Sequence, residues 1–160
     1  MRTIKFRGKR YGDGAWVYGN LYQGTKEGEQ YSIILDEAGY DLAPEDDRNL
    51  AIAFAENEVN VVFTDSVGQF TGLLDKSGTE IYEGDIIVRV SLDVFAENHN
   101  IPIDILRDDE YKRMKYIVGH GGGFFTLESE KRVSLRLWLD CNDYQVIGNI
   151  HENPDLMNNH

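Results

Sequence analysis

The sequence lacks the features that mark secreted, disulfide-stabilised and membrane-spanning proteins. It has a single cysteine, Cys141, which cannot form an internal disulfide and fits a reducing cytosol. No stretch reaches the roughly 18 uncharged apolar residues that a membrane helix needs. The first residues, Met1-Arg2-Thr3-Ile4-Lys5-Phe6-Arg7, carry early charge without a following apolar run, unlike a signal peptide. We therefore expect a cytoplasmic protein with no membrane segment.

The sequence also lacks the motifs of common catalytic sites. His120-Gly121-Gly122-Gly123 is similar to the oxyanion loop of lipase-type hydrolases, but no G-x-S-x-G nucleophile motif accompanies it. Glycine-rich phosphate loops are absent. The four histidines are scattered without metal-ligand spacing, and Cys141 has no second cysteine beside it. We predict that the chain is not an enzyme and that it binds neither a cofactor nor a metal.

Basic residues are scarce and unevenly placed. The chain has 16 basic and 28 acidic residues, for a net charge of −12, which opposes binding to nucleic-acid phosphates. Residues 36–58 are strongly acidic, with Arg48 as their only cation. A solvated acidic surface explains this segment most simply. The alternative is an imitation of nucleic-acid phosphates that occupies a basic groove of another protein.

Aromatic and β-branched residues are plentiful, and they alternate as in strands. Residues 3–7 and 15–22 flank the turn sequence Tyr11-Gly12-Asp13-Gly14 and predict a hairpin. A second hairpin is predicted across Asp75-Lys76-Ser77-Gly78, where Asp begins a type I turn and Gly closes it. Further strands are predicted at 31–35, 59–64, 86–90, 116–118, 124–127, 133–138 and 144–147. A short helix or loop is expected within 41–57, and a helix near 104–114. The predicted fold is mainly β with minor α.

One patch of this predicted sheet combines cations with aromatic rings. The candidate partner-binding residues are Lys5, Arg7, Lys9, Tyr11, Trp16 and Tyr18. Such a surface can hold single-stranded nucleic acid by backbone attraction and base stacking. Alternatively, the rings pack in the core and the cations protect a sheet edge against strand addition.

Three stretches of the sequence resemble the YopX family of bacteriophage and prophage proteins. They are Ile4–Lys9 with Gly14–Leu21, then Ser66–Ile87, and finally Val146–Leu156. The resemblance implies a phage gene expressed in a bacterial host and a second half similar to an SH3-type barrel. It supplies no catalytic or binding residue that can be transferred to this chain.

These observations combine into one expectation for organisation and function. Residues 1–65 would form an N-terminal β unit, and residues 66–160 an SH3-like barrel with a polar insertion at about 92–115; one continuous domain is the alternative. The expected function is a non-enzymatic protein-binding module of a phage or prophage, which acts on a host or phage protein in the bacterial cytoplasm. A nucleic-acid-binding protein is the alternative, and homo-oligomerisation stays open.

Overall fold

The chain forms two compact units, Met1–Phe70 and Thr71–His160. The computed structural model describes residues 4–35, 60–90, 115–121, 123–129, 134–136 and 144–157. The predicted helix or loop at 41–57, the predicted helix near 104–114, and the segments 36–58 and 92–115 lie outside the described residues.

The first unit is an antiparallel sheet. Its strands are β1 (Phe6–Lys9), β2 (Trp16–Lys26), β3 (Glu29–Leu35), β4 (Asn60–Val62) and the first part of β5 (Gly68–Leu74). Their order across the sheet is β4-β3-β2-β1-β5. Along the chain, a short 3-10 helix at Thr64–Ser66 joins β4 to β5. The predicted hairpin of residues 3–7 and 15–22 is confirmed as the antiparallel pair β1 and β2.

The core of the first unit is built around β3. β3 lies between β2 and β4, so both of its edges are hydrogen-bonded, and the residues from Ser32 to Leu35 are buried. Ile33 and Leu35 form a cluster on one face with the partly buried Tyr31 and Val61. On the opposite face Val62 packs so tightly over β1 that a Cβ on Gly8 would lie 2.8 Å from its methyl group. Only glycine fits that position without movement of Val62.

A two-residue turn joins β2 to β3. Lys26 pairs with Glu29, and the intervening Glu27 and Gly28 have φ values of 53° and 89°. Positive φ at both central residues identifies a type I′ turn, whose twist matches that of the flanking strands. The turn therefore sets the register of the whole β2–β3 hairpin.

The second unit contains the rest of β5 and six further strands. These are β6 (Glu80–Tyr82), β7 (Asp85–Arg89), β8 (Lys115–Gly121), β9 (Phe124–Ser129), β10 (Ser134–Arg136) and β11 (Tyr144–Asn149). Five of them form an antiparallel sheet in the order β10-β9-β8-β7-β11. The buried side chains of the second unit include Ile81, Tyr82, Ile86, Ile87, Tyr116, Val118 and Leu127. A 3-10 helix at Pro154–Met157 follows β11.

The predicted turn at Asp75-Lys76-Ser77-Gly78 is confirmed. The Gly78 N–H donates to the Asp75 carbonyl at 2.9 Å, and the Asp75 N–H donates to the Thr79 carbonyl at 2.8 Å. Gly78 has φ 86°, the left-handed conformation that the sequence predicted for it. The turn thus joins β5 to β6 as a tight hairpin.

The mainly β class is confirmed by these two antiparallel sheets. The SH3-like barrel and the domain limits at 65 and 66 stay predictions. In the described ranges, no helix is both long enough and apolar enough to cross a membrane.

Candidate binding surface

The register of β1 and β2 places cations and aromatic rings on one face of the sheet. Arg7 lies directly opposite Tyr18, and Lys9 lies directly opposite Trp16. Residues that face each other in an antiparallel pair share a face, as do residues two apart in one strand. We call the set Lys5, Arg7, Lys9, Trp16 and Tyr18 the cation–aromatic face.

On this face the positive groups sit over the rings. The Arg7 guanidinium carbon is 4.7 Å from the Trp16 ring centroid, and the Lys9 Nζ is 5.8 Å from the same ring. The Lys5 Nζ is 5.7 Å from the Tyr18 centroid. All three distances fall within the roughly 6 Å over which a cation is attracted to a ring face. The rings therefore hold the cations in place.

Exposure varies strongly across the cation–aromatic face. Arg7 is only 7% exposed, whereas Tyr18 is 44% exposed. Lys5, Lys9 and Trp16 are half-buried. The face thus has a buried cation at its base and an exposed phenol at its surface.

Backbone hydrogen bonds hold β1 firmly under these side chains. The Lys9 N–H donates to the Ser66 hydroxyl at 2.8 Å, and the Phe63 N–H donates to the Lys9 carbonyl at 2.9 Å. The Phe70 N–H donates to the Lys5 carbonyl at 2.7 Å. Since β2 lies on the other side of β1, the strand is anchored along both edges. Its cations are consequently presented from a rigid scaffold.

Tyr11 belongs to a different aromatic contact. It follows the end of β1, is 67% exposed, and packs on Phe63 with ring centroids 4.9 Å apart. Its N–H donates to the Val61 carbonyl at 2.8 Å. No local sequence pattern links Phe63 to Tyr11, because the two residues lie far apart along the chain.

Arg10 directly follows β1 and contacts the β1–β2 turn. It forms an ion pair of 2.5 Å with Asp13 and donates to the Asn60 Oδ1 at 3.1 Å. The hydrogen bonds that Asp13 accepts, first from Arg10 and then from the Ala15 N–H, hold the pKa of Asp13 well below its ordinary value. The same hydrogen bond raises the pKa of Arg10. Arg10 therefore stabilises the turn and stands apart from the cation–aromatic face.

The cation–aromatic face offers chemistry for noncovalent contact. In the described part of the chain, no group of three or more His, Cys, Asp and Glu side chains is placed to hold a metal ion. His120, from the motif similar to an oxyanion loop, is exposed and packs on Phe125 with centroids 5.0 Å apart. The rings and cations at β1 and β2 combine positive charge, hydrogen-bond donors and partly exposed aromatic surface.

Comparison with known proteins finds a similar solved structure and a matching family. Protein EF1440 from Enterococcus faecalis is similar with 21% sequence identity and a TM-score of 0.49, over 98% of this chain and 99% of that chain. No curated protein matches the sequence. The YopX protein family matches residues 5–158, which is nearly the whole chain. The chain therefore belongs to the YopX protein family.

Proposed function

We propose that the chain is a non-enzymatic protein-binding module and that the cation–aromatic face contacts its partner. The observation that carries this proposal is the pairing of an exposed and a half-buried aromatic ring with cations on two paired strands. Trp, Tyr and Arg are the residue types most enriched where protein interfaces gain their binding energy. The setting that the family resemblance implies is a phage or prophage accessory role in the bacterial cytoplasm.

The arrangement of the cations favours a protein partner over nucleic acid. Base stacking needs open ring faces, but Arg7 and Lys9 lie over Trp16, and Lys5 lies over Tyr18. A base could stack on either ring only by displacing the cation that covers the ring face. The net charge of −12 also repels a phosphate backbone at long range.

The partner surface is expected to be acidic and partly apolar. Lys5 and Lys9 can pair with carboxylates while the exposed part of Tyr18 packs on apolar groups and donates its hydroxyl hydrogen bond. Arg7 contributes indirectly. It is buried, and its guanidinium lies against the Trp16 ring and so orients that ring. Tyr18 is therefore the residue whose truncation should weaken binding most, by about 2 kcal/mol or more.

A comparative pull-down tests this proposal. The full chain is immobilised and exposed to nuclease-treated bacterial lysate, in parallel with Tyr18→Ala and with Leu74→Ala. Leu74 is a suitable control because it is 51% exposed and lies outside the cation–aromatic face. Proteins retained by the wild type and by Leu74→Ala, but lost from Tyr18→Ala, are the expected result. Equal retention by all three variants would overturn the assignment of this face.

The nucleic-acid alternative is tested with two lysine variants. A gel shift with single-stranded DNA or RNA is run from low to physiological salt for wild type, Lys5→Ala and Lys76→Ala. Lys76 is an exposed lysine in the β5–β6 turn and provides a matched loss of charge. A shift that Lys5→Ala abolishes and Lys76→Ala preserves would replace the protein-binding proposal with the nucleic-acid one.

A further inference from the structure

The β2–β3 hairpin extends beyond its neighbouring strands. β1 pairs with β2 from Trp16 to Gly19, whereas β2 pairs with β3 from Asn20 to Lys26. Within the described ranges, no strand pairs with the outer edge of β2 after Gly19. A stretch of β2 at the end of the hairpin thus has one paired edge and one edge that faces outward.

The register identifies which backbone groups point outward from this edge. Lys26 and Glu29 flank the two-residue turn and form a hydrogen-bonded pair, and hydrogen-bonded pairs alternate along an antiparallel ladder. The N–H and C=O groups of Leu21, Gln23 and Thr25 therefore point away from β3. Three evenly spaced positions of this kind form a template for another strand.

Within the residues that the structure describes, nothing on the outward edge of β2 protects it against strand addition. Natural edge strands carry lysines, prolines or bulges that prevent pairing with another chain. The sequence from Trp16 to Thr25 contains no charged residue and no proline, and its pairing with β3 shows no bulge. We propose that this edge pairs with the same edge of a second copy of the chain, antiparallel about a two-fold axis through Gln23.

The two-fold register suits the residues that it brings together. Gln23 faces Gln23 of the second copy, and Leu21 faces Thr25. On the other face of the strand, Tyr22 comes opposite Gly24 of the second copy, where the ring of Tyr31 lies across the glycine. The first charged residue, Lys26, faces Asn20, so the register opposes no like charges despite the net charge of −12.

A hollow beside this edge provides space for the incoming ring. It has a volume of about 230 Å³ and is lined by Gln23, Gly24, Thr25, Gln30 and Tyr31. Tyr22 is 37% exposed, and its centroid is 6.3 Å from that of Tyr31. The pairing would cover Tyr22 with the second copy and extend the existing pair of rings.

Charge substitution at the two-fold axis tests the register directly. Sedimentation equilibrium of the full chain in about 150 mM salt, where the Debye length is about 8 Å, is expected to show a concentration-dependent dimer. Gln23→Lys and Gln23→Glu should each raise the dimer dissociation constant about fivefold or more, because residue 23 then faces its own charge. An equimolar mixture of the two variants should recover dimerisation. Pairing about this axis brings the introduced lysine of one copy opposite the introduced glutamate of the other, so the two charges attract.

Gln145→Lys is the matched control. It makes the same substitution on β11, outside the β2–β3 hairpin and outside the hollow, and should leave the dimer intact. Chemical unfolding checks that Gln23→Lys is folded, since Gln23 also donates to the Ser32 hydroxyl at 3.1 Å. A monomer at every concentration, or a dimer in which Gln23→Lys has no effect, would overturn the proposal. In the case of a monomer, the strand that pairs with this edge would have to come from another protein.

Discussion

The Asp75 carboxylate accepts a hydrogen bond of 3.0 Å from the backbone N–H of Val146, which ties the β5–β6 turn to β11. Its other oxygen accepts from the Ser77 N–H, the Ser77 hydroxyl and the Thr79 N–H at 2.7–2.9 Å. The Lys76 N–H adds a second link, to the Tyr144 carbonyl at 3.1 Å. Asp75 is only 4% exposed, so four donors converge on one buried carboxylate.

Replacement of Asp75 by asparagine should therefore destabilise the second unit. The amide keeps one oxygen but presents an NH₂ group to donors on the other side, so at least one buried N–H loses its acceptor. The expected loss is about 1–3 kcal/mol in the free energy of unfolding, measured by urea denaturation. Asp65→Asn is the control, because Asp65 is exposed and the same substitution there should change stability by less than about 0.5 kcal/mol. Equal stability of the two variants would contradict the role of Asp75.

Asp75 should also make stability depend on pH. Burial alone would raise its pKa, but the hydrogen bonds from Ser77, Val146 and Thr79 outweigh burial and lower the pKa below the ordinary 3.8. A carboxyl with a lower pKa in the folded state adds stability above the unfolded value, and this contribution disappears as pH falls through the folded pKa. The difference in unfolding free energy between wild type and Asp75→Asn should thus shrink below about pH 4. A difference that stays constant between pH 6 and pH 3 would show that the carboxylate charge contributes nothing.

Of these contacts, those within the turn could be predicted from the sequence and those to a distant strand could not. The turn at Asp75-Lys76-Ser77-Gly78 was predictable because its residue preferences act within four consecutive positions. The bond to Val146 was not, because it depends on how a distant strand folds back beside the turn. In the first unit, alternation across residues 3–7 and 15–22 predicted the hairpin that carries the cation–aromatic face.

The assembly of the cation–aromatic face needed the register as well as the alternation. Alternation alone does not tell which cation meets which ring, and the placement of Arg7 and Lys9 over Trp16 follows from the turn length between β1 and β2. Tyr11 was grouped with these residues by proximity in sequence, yet it packs on Phe63. The turn at Glu27-Gly28 was also missed, since only Gly28 provides a local signal for positive φ.

The glycine that closes the Asp75 turn allows a test of backbone conformation alone. A Cβ added at Gly78 meets nothing within 4 Å, and the same is true at Gly121, but only Gly78 has a positive φ, 86°. Gly78→Ala should therefore lower the free energy of unfolding by about 1 kcal/mol through backbone strain. Gly121→Ala should cause no such loss. Thermal denaturation of the two variants compares them, and equal midpoints would exclude the strain.

Ser66 links the short 3-10 helix to the strand that carries the cations. It is 3% exposed, accepts from the Lys9 N–H at 2.8 Å, and donates to the Phe63 carbonyl at 2.6 Å. Ser66→Ala removes the acceptor of a strand N–H and should destabilise the first unit by about 1–3 kcal/mol in urea denaturation. Thr64→Ala, at an exposed position of the same helix, is the control and should have a smaller effect, because the Thr64 hydroxyl accepts a longer hydrogen bond, of 3.1 Å, from the Ser32 hydroxyl. If Ser66→Ala were as stable as Thr64→Ala, the anchoring of β1 would have to come from its pairing with β2 and β5 alone.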